Sequence, residues 1–456
     1  MNHPFFDITA DLDTPVSAYL KLTSFDPCFL LESVEISGSA QGGSLHQVGR
    51  YSLIGLATAS VLQLDEPKNP LADFRAALTQ APRLQADGLE LPFNGGLVGV
   101  SAFDLVRGLD TIRVPRRQRP TAPDALYVAP KSLLVFDHVT RTAALLHDGS
   151  EEERKALRKE IIRALHQPVH APASRGGLGP STASMDKNQF LRAVGQAQEH
   201  ISAGDVFQLV LSICEQGETD LDPFTVYRTL RRINPSPYMY FLDLPGTQIV
   251  GSSPEALVKM QGGEAILRPI AGTRPRGRNV HEDEEHEQSL LADPKEGSEH
   301  VMLVDLARND LGRVATPGSI QVHPYRQVER YSHVMHLVSG VRGNVSPEAD
   351  QFDVFAATFP AGTVVGAPKL RAVEILESLE PQSRGFYAGT VGYFGHDRRM
   401  DQAIAIRTLT FSEGLYAYQA GAGIVAESQP ELEYLEIKAK GRALKEALAQ
   451  TAGVAA

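Results

Sequence analysis

Two Glu-x-x-Glu pairs stand far apart in the chain: Glu296 with Glu299 in DPKEGSEHVMLVDLARND, and Glu433 with Glu436 in PELEYLEIKAK. Both segments have helical periodicity. An i,i+3 spacing puts the two carboxylates of a pair on one helix face, about 5–6 Å apart at Cβ. Four carboxylates that converge make an oxygen-rich cage for a hard divalent cation such as Mg²⁺. Each pair alone reads more simply as the solvated face of a surface helix, so the neighbouring segments decide.

Several segments carry further chemistry. LRPIAGTRPRGR holds Arg274, Arg276 and Arg278 amid Gly and Pro, which suits either an exposed basic loop or a loop beside an anion. In FPAGTVVGAPKLRAVEIL, small residues and Thr363 lead into a helix that begins near Pro368. Free N–H groups and a hydroxyl at a helix start suit a carboxylate or phosphate. The segment lacks the Gly-Lys-Ser/Thr ending of a nucleotide-binding P-loop. Tyr387 and Arg407 lie on or beside strands in GFYAGTVGYFG and MDQAIAIRTL. An Arg amid Ala, Ile and Leu needs an anionic partner if it is buried. Gly421 and Gly423 in AGAGIVAES let backbone approach a ligand closely. His336 on an apolar strand reads as structural unless it shares a pocket with an acid such as Glu255 in GSSPEALVK.

The elements that must position these residues belong to a chain of 456 residues, 42% hydrophobic and 22% charged, which implies a substantial core. A formal net charge of -11 argues against nucleic-acid binding, because the basic stripe is missing. Any anionic substrate must meet a local positive site. Cys28 and Cys214 have no metal or disulfide spacing and are expected as small buried residues in a reducing cytoplasm. The N-terminal MNHPFFDITADLD does not resemble a signal peptide, and no long apolar run indicates a membrane span. The Pro-, Gly- and Ala-rich stretch 166–184 reads as a linker between an N-terminal region, 1–165, and a larger domain, 185–456. Asp186 is the expected N-cap of a helix with Phe190, Val194, Ala197 and Ile201 on one stripe, followed by the strand-like VFQLVLSI. Strands are numerous and do not alternate cleanly with helices. The expected fold is therefore α+β, with large mixed or antiparallel sheets rather than a doubly wound sheet.

Taken together, LLESVE with GRYSLIG, NPSPYMYFL, GSSPE, PIAGTRPRGR, the DPKEGSEHVMLVDLARNDLGR block, HVMHLVSG, FPAGTVVGAPKLRA, VGYFG, MDQAIAIRT and AGAGIVAESQPELEYLE resemble the chorismate-utilising enzymes, and within them the anthranilate synthases. They span nearly the whole chain in the family's order. The resemblance implies a sheet sandwich flanked by helices. It implies Glu299 and Glu436 as direct Mg²⁺ ligands, with Glu296 and Glu433 beside them or bridged by water. Tyr387, Arg407 and backbone around Gly421 and Gly423 would hold the carboxylates of chorismate, with Thr363 and the Ala271–Gly272–Thr273 stretch also contacting it. Glu255 matches the general acid, and His336 a position tied to eliminating pyruvate.

Two positions sort the family's branches. Gln208 stands where water-using relatives carry a Lys base, so ammonia is the implied nucleophile. Ala271 stands where many aminodeoxychorismate synthases carry a nucleophilic Lys, so amination at C2 is implied over the 4-amino product. A second pocket is implied from Glu32, Ser33, Arg50, Tyr51, Ser52, Pro237, Tyr238 and Met239, which resemble a tryptophan feedback site within region 1–165 and the NPSPYM turn. LSICEQ departs from the family's more basic stretch at a place where a partner contact would change. The chain ends soon after its last helix, so glutamine-dependent activity would require a separate glutamine amidotransferase subunit in a hetero-oligomer. A catalytically silent tryptophan-binding subunit is the contrasting reading, and it predicts a damaged metal or acid site.

Overall fold

The computed structural model describes residues 6–33, 49–84, 91–116, 122–170, 176–330 and 334–453. The long strand Ala125–Asp137 is where the architecture divides. One edge pairs with Tyr51–Leu64, while the other takes Gly96–Ser101 at its start and Thr142–His147 at its end. From Tyr51–Leu64 one layer continues through Pro27–Glu32, Tyr238–Leu244, Thr247–Ser253, Thr408–Ser412 and Leu415–Ile424 to Gln208–Thr219. From Gly96–Ser101 the second runs through Thr390–Gly395, Arg399–Ile404, Ala256–Gln261 and Glu264–Leu267 to Val341–Asn344. These pairings are all antiparallel, within a hydrogen-bonded network of 19 described strands.

The two layers face each other across a core that includes Phe29, Val100, Leu133, Ile249 and Val391. Helices cover the outer faces. Tyr19, Phe224, Leu230 and Leu444 close one, and Phe74, Phe190, Phe352 and Phe355 close the other. This is the expected α+β sandwich flanked by helices. A separate three-stranded sheet, Ile270–Pro275, Val334–Val338 and Gln327–Arg330, packs with helix Val280–Ala292 over a small core of Leu290, Met335 and Leu337.

Local signals explain the elements that carry the site. Asp186 caps helix Lys187–Ser202 by accepting from the Gln189 N–H at 2.8 Å, and Phe190, Val194 and Ala197 are buried as the stripe requires. Pro294 and Pro430 open the helices Pro294–Gly312 and Pro430–Thr451, at positions whose N–H has no helical partner to lose. Pro368 precedes helix Lys369–Leu379, as its sequence implies. Within the stretch expected as a linker, residues 171–175 lie outside the described residues, and Leu178–Ala183 is a strand paired with Gln208–Thr219. Its residues are mostly exposed and show no in/out alternation, so the strand carries no pattern of its own. Strands from 1–165 and from 185–456 share both layers, through Pro27–Glu32 with Tyr238–Leu244 and Gly96–Ser101 with Thr390–Gly395.

The aromatic cluster on the outer face makes a direct test. The Phe355 ring lies 5.1 Å from that of Phe359 and 5.3 Å from that of Phe394. Phe355→Ala should cost about 3–5 kcal/mol in chemical denaturation, the usual loss for a buried ring.

Candidate active site

Glu255 sits just beyond the strand Thr247–Ser253, its carbonyl accepting from the Ile404 N–H at 3.0 Å. Burial pushes its carboxyl up to about 7, and Thr363, Lys440 and Arg407 offset only part of that rise. Thr363 belongs to the short turn Gly362–Val364, and its buried hydroxyl lies close enough to the Glu255 carboxyl to help hold its pKa down. Arg407 adopts the left-handed conformation with φ of 49°, and its carbonyl accepts from the Ser252 N–H at 3.1 Å. Burial lowers the pKa of its guanidinium, and the one charge that opposes this is Glu255. No ion pair to Arg407 occurs among the described residues. A buried cation beside an acid whose charge is only partly present near neutral pH is electrostatically prepared for an incoming anion.

Around this centre the strands bring the other expected residues. Gly421 has no room for a side chain, since a Cβ would stand 2.5 Å from the Tyr387 hydroxyl. At Gly423 a Cβ would meet only the end of the Gln208 side chain, with Nε2 at 2.5 Å, which could swing aside. Gln208 Nε2 in turn donates to Glu299 at 3.4 Å. Burial raises the Tyr387 hydroxyl to about 12, so it remains a donor. His336 Nδ1 lies 3.1 Å from the Gly272 carbonyl and 3.1 Å from Thr273 Oγ1. A carbonyl can only accept, so Nδ1 carries the proton and Nε2 is the basic nitrogen. Burial lowers the His336 pKa and keeps the ring neutral. Gly272, with φ of 63°, forms a bulge opposite His336 and Leu337 and brings backbone beside the Glu296 carboxylate. Ala271 is buried opposite Leu337.

The four expected metal carboxylates lie in the first two turns of their helices, near the positive ends of the helix dipoles. Burial raises the Glu299 pKa, and the charges of Glu296 and Glu436 add to the rise. Burial likewise raises Glu433, with Glu436 adding to it. The groups therefore feel one another. No set of three metal-capable side chains is already gathered among the described residues. Glu296 instead pairs with Arg274 at 3.3 Å, and Glu436 with Lys440 at 2.7 Å. Lys440 also donates to the Gly421 carbonyl at 2.9 Å. Sequence reasoning missed Lys440, although its i+4 spacing from Glu436 was a visible signal. The three arginines of the segment that suited either an exposed loop or an anion all pair within the chain: Arg274 also with Asp293, Arg276 with Asp283 and Arg278 with Glu282.

The residues of the expected second pocket lie elsewhere and divide between two faces. Met239 packs on the outer core with Tyr19, Phe224 and Leu230, whereas Tyr51 and Tyr238 pack with the core between the layers. Ser52, Glu32 and Met239 form a row across three adjacent strands. Glu32 is committed to a bidentate pair with Arg231 at 2.8 and 3.0 Å and accepts from Tyr227 at 2.5 Å. Ser52 meets His138 at 2.7 Å, Arg50 pairs with Asp137 at 2.9 Å and stacks on Tyr51, and Tyr238 donates to Asp401 at 3.1 Å. Ser33 and Pro237 border the row, half-buried. Arg231, Tyr227 and His138 carried no motif that would have singled them out. Both cysteines are buried and free, as expected.

The family profile described as "chorismate binding enzyme" matches residues 34–446. The chain belongs to this family. It is 42% identical to anthranilate synthase component 1 of Thermus thermophilus, over 96% of both chains. It is also 42% identical to the component 1 of Streptomyces coelicolor, over 95% of this chain and 86% of that one. Among solved structures it resembles anthranilate synthase component I of Streptococcus pneumoniae with a TM-score of 0.77 at 33% identity, covering 96% of this chain and 98% of the other. The chain covers most of the length of each of these relatives.

Glu255 supplies a pH test. Its folded pKa is raised above the usual carboxylate value, so the stability it contributes is complete at low pH and is lost as pH rises through about 7. Glu255→Gln removes that dependence. Denaturation at pH 5 and pH 8 should find the wild type losing ground to the variant as pH rises; a constant difference would show an ordinary, solvated carboxyl.

Proposed function

We propose that the chain is the large, chorismate-converting subunit of an anthranilate synthase. The observation that carries this reading is Glu255, a carboxyl held protonated up to near-neutral pH within reach of the unpaired Arg407 charge. An acid in that state suits protonation of a poor hydroxyl leaving group, and the cation suits the carboxylates of chorismate.

In the proposed reaction Arg407, the Tyr387 hydroxyl and the Gly421–Gly423 backbone hold the carboxylates. Thr363, beside the Glu255 carboxyl, and the Ala271–Thr273 bulge bound the ring. Ammonia forms the new bond at C2, the ring double bond shifts, and the C4 hydroxyl departs as water with the Glu255 proton. Gln208 contributes no base, which suits ammonia over water, and Ala271 contributes no nucleophile that would redirect amination. In the second step the C2 proton is lost and the enolpyruvyl group leaves as pyruvate, restoring aromaticity. Neutral His336, basic at Nε2, is suited to take that proton.

Mg²⁺ suits the carboxylate cluster, since desolvated oxygen donors that raise one another's pKa are what a hard dication relieves. Glu299 and Glu436 would hold it, with Glu296 and Glu433 beside them. When bound it would attract the ring carboxylate and withdraw electron density from the ring. Ammonia would come from a separate glutamine amidotransferase subunit, in a hetero-oligomer in the cytoplasm. Region 185–456 would be the catalytic domain, and 1–165 would supply most of a tryptophan feedback pocket around the row Ser52, Glu32 and Met239. The Glu32–Arg231 pair lies at the end of helix Pro223–Ile233. The cap of that helix, Asn234, donates to Ser252 Oγ at 2.7 Å, and the Ser252 N–H holds the Arg407 carbonyl. Tryptophan that disturbs the pair would thereby favour a less active arrangement.

Incubation of the protein with chorismate, Mg²⁺ and ammonium should yield fluorescent anthranilate, and added tryptophan should suppress it. Accumulation of 4-amino-4-deoxychorismate would replace this reading with the aminodeoxychorismate synthase one. Glu436→Ala should lower turnover about 10- to 100-fold, the usual cost of a disturbed metal site. Ala271→Lys should depress anthranilate formation, and an unaffected rate would mean that the side chain does not face the ring.

A further inference from the structure

Arg384 and Glu380 form a bidentate ion pair with Nε–Oε2 at 2.8 Å and Nη2–Oε1 at 2.7 Å, with 4% and 5% of each residue exposed. Neither has a place in the chemistry above. Desolvating both charges costs several kcal/mol, and well-packed apolar residues often serve stability as well or better. Stability alone therefore gives this pair little reason to exist.

What the pair touches suggests another reason. Arg384 Nη2 donates to the Val210 carbonyl at 2.6 Å, two residues beyond Gln208 on the same strand. Its Nη1 donates to the Val364 carbonyl at 2.7 Å, next to Thr363. Its own carbonyl accepts from the Tyr387 N–H at 3.1 Å, and its guanidinium lies 5.5 Å from the centre of the Tyr387 ring. Glu380 Oε1 accepts from the Ser212 N–H at 2.9 Å and its hydroxyl at 2.6 Å. Ser212 Oγ accepts from Gln419 at 2.8 Å, two residues before Gly421, and Ser212 stands opposite Gly421 in the ladder. Gln208, Thr363, Tyr387 and Gly421 come from four separate stretches of chain, and one buried pair fastens all four.

We infer that Arg384 and Glu380 are positioning residues that hold these four substrate-facing segments in register. A planar guanidinium suits the task, because its donors diverge in a fixed fork toward two carbonyls and one carboxylate. The inference rests on the proposed reaction for its kinetic readout only, since the geometry it predicts is independent of which product forms.

The test replaces the pair with apolar residues of similar volume, Arg384→Met with Glu380→Leu. The thermal midpoint should fall, because the Val210 and Val364 carbonyls and the Ser212 N–H lose their partners, so kcat is measured well below it on folded protein. kcat for chorismate amination should fall about 10- to 100-fold with KM rising less than about threefold, the pattern of displaced reacting groups. A crystal structure of the variant should show the Thr363 turn and Tyr387 displaced. Retained kcat, or both segments unmoved, overturns the proposal. If the double variant does not fold, Ser212→Ala decides, because it removes one hydroxyl of the network. A fall in kcat at an unchanged thermal midpoint supports the role, and an unchanged kcat ends it. A wild type that makes no anthranilate would remove the proposed reaction, and the crystallographic comparison would still judge the positioning.

Discussion

Charge held out of water without a full partner is the constraint on which this structure turns. Burial raises Glu255, Glu299 and Glu433 and lowers Arg407 and His336, so five ionisable groups of the site are displaced in the direction that disfavours their charge. Such a site would relax if its walls could move, by admitting water or swinging the side chains apart. Antiparallel strands answer this, because each residue is fixed by hydrogen bonds on two sides. Arg407 leaves its strand in a left-handed conformation with its carbonyl pinned by Ser252, and Glu255 leaves the neighbouring strand with its carbonyl pinned by Ile404.

The carboxylates near the proposed metal show the same constraint at lower cost. Glu296 and Glu436 are neutralised by Arg274 and Lys440, whereas Glu299 has only the long contact with Gln208. A cation arriving there would compete with two existing ion pairs and relieve a third group that has none. The Lys440 link to the Gly421 carbonyl ties that competition to the strand against which Tyr387 rests. The proposed metal and substrate contacts are thus neighbours through the protein as well as through any shared ligand.

Parts of this were legible in the chain before folding. The cap and stripe of Lys187–Ser202 are local, so Asp186 and the spacing of Phe190, Val194 and Ala197 were enough to place the helix. Pro294, Pro368 and Pro430 likewise marked helix starts. The strand Leu178–Ala183 was not legible, because a residue there is held by a partner strand and not by its own pattern. The role of the Arg-rich segment stayed open for a related reason. Its three charges find Asp293, Glu296, Asp283 and Glu282, all local in sequence, yet nothing in the spacing showed that these acids would claim them. The network around Arg384 was invisible, since its partners are backbone carbonyls that carry no sequence signature.

The amino-acid sequence by itself determined the inventory: which acids, which arginine, which glycines, and the absence of a Lys at Gln208 and Ala271. Residue type sets which protons and charges exist at all, and the order of motifs ties that inventory to one family. Only the tertiary structure decided which of these groups lose water and which find partners. That decision made Glu255 an acid near neutrality while pairing Glu32 with Arg231. Desolvation and ion pairing depend on the distance between segments hundreds of residues apart, and that distance exists only once the sheets have closed.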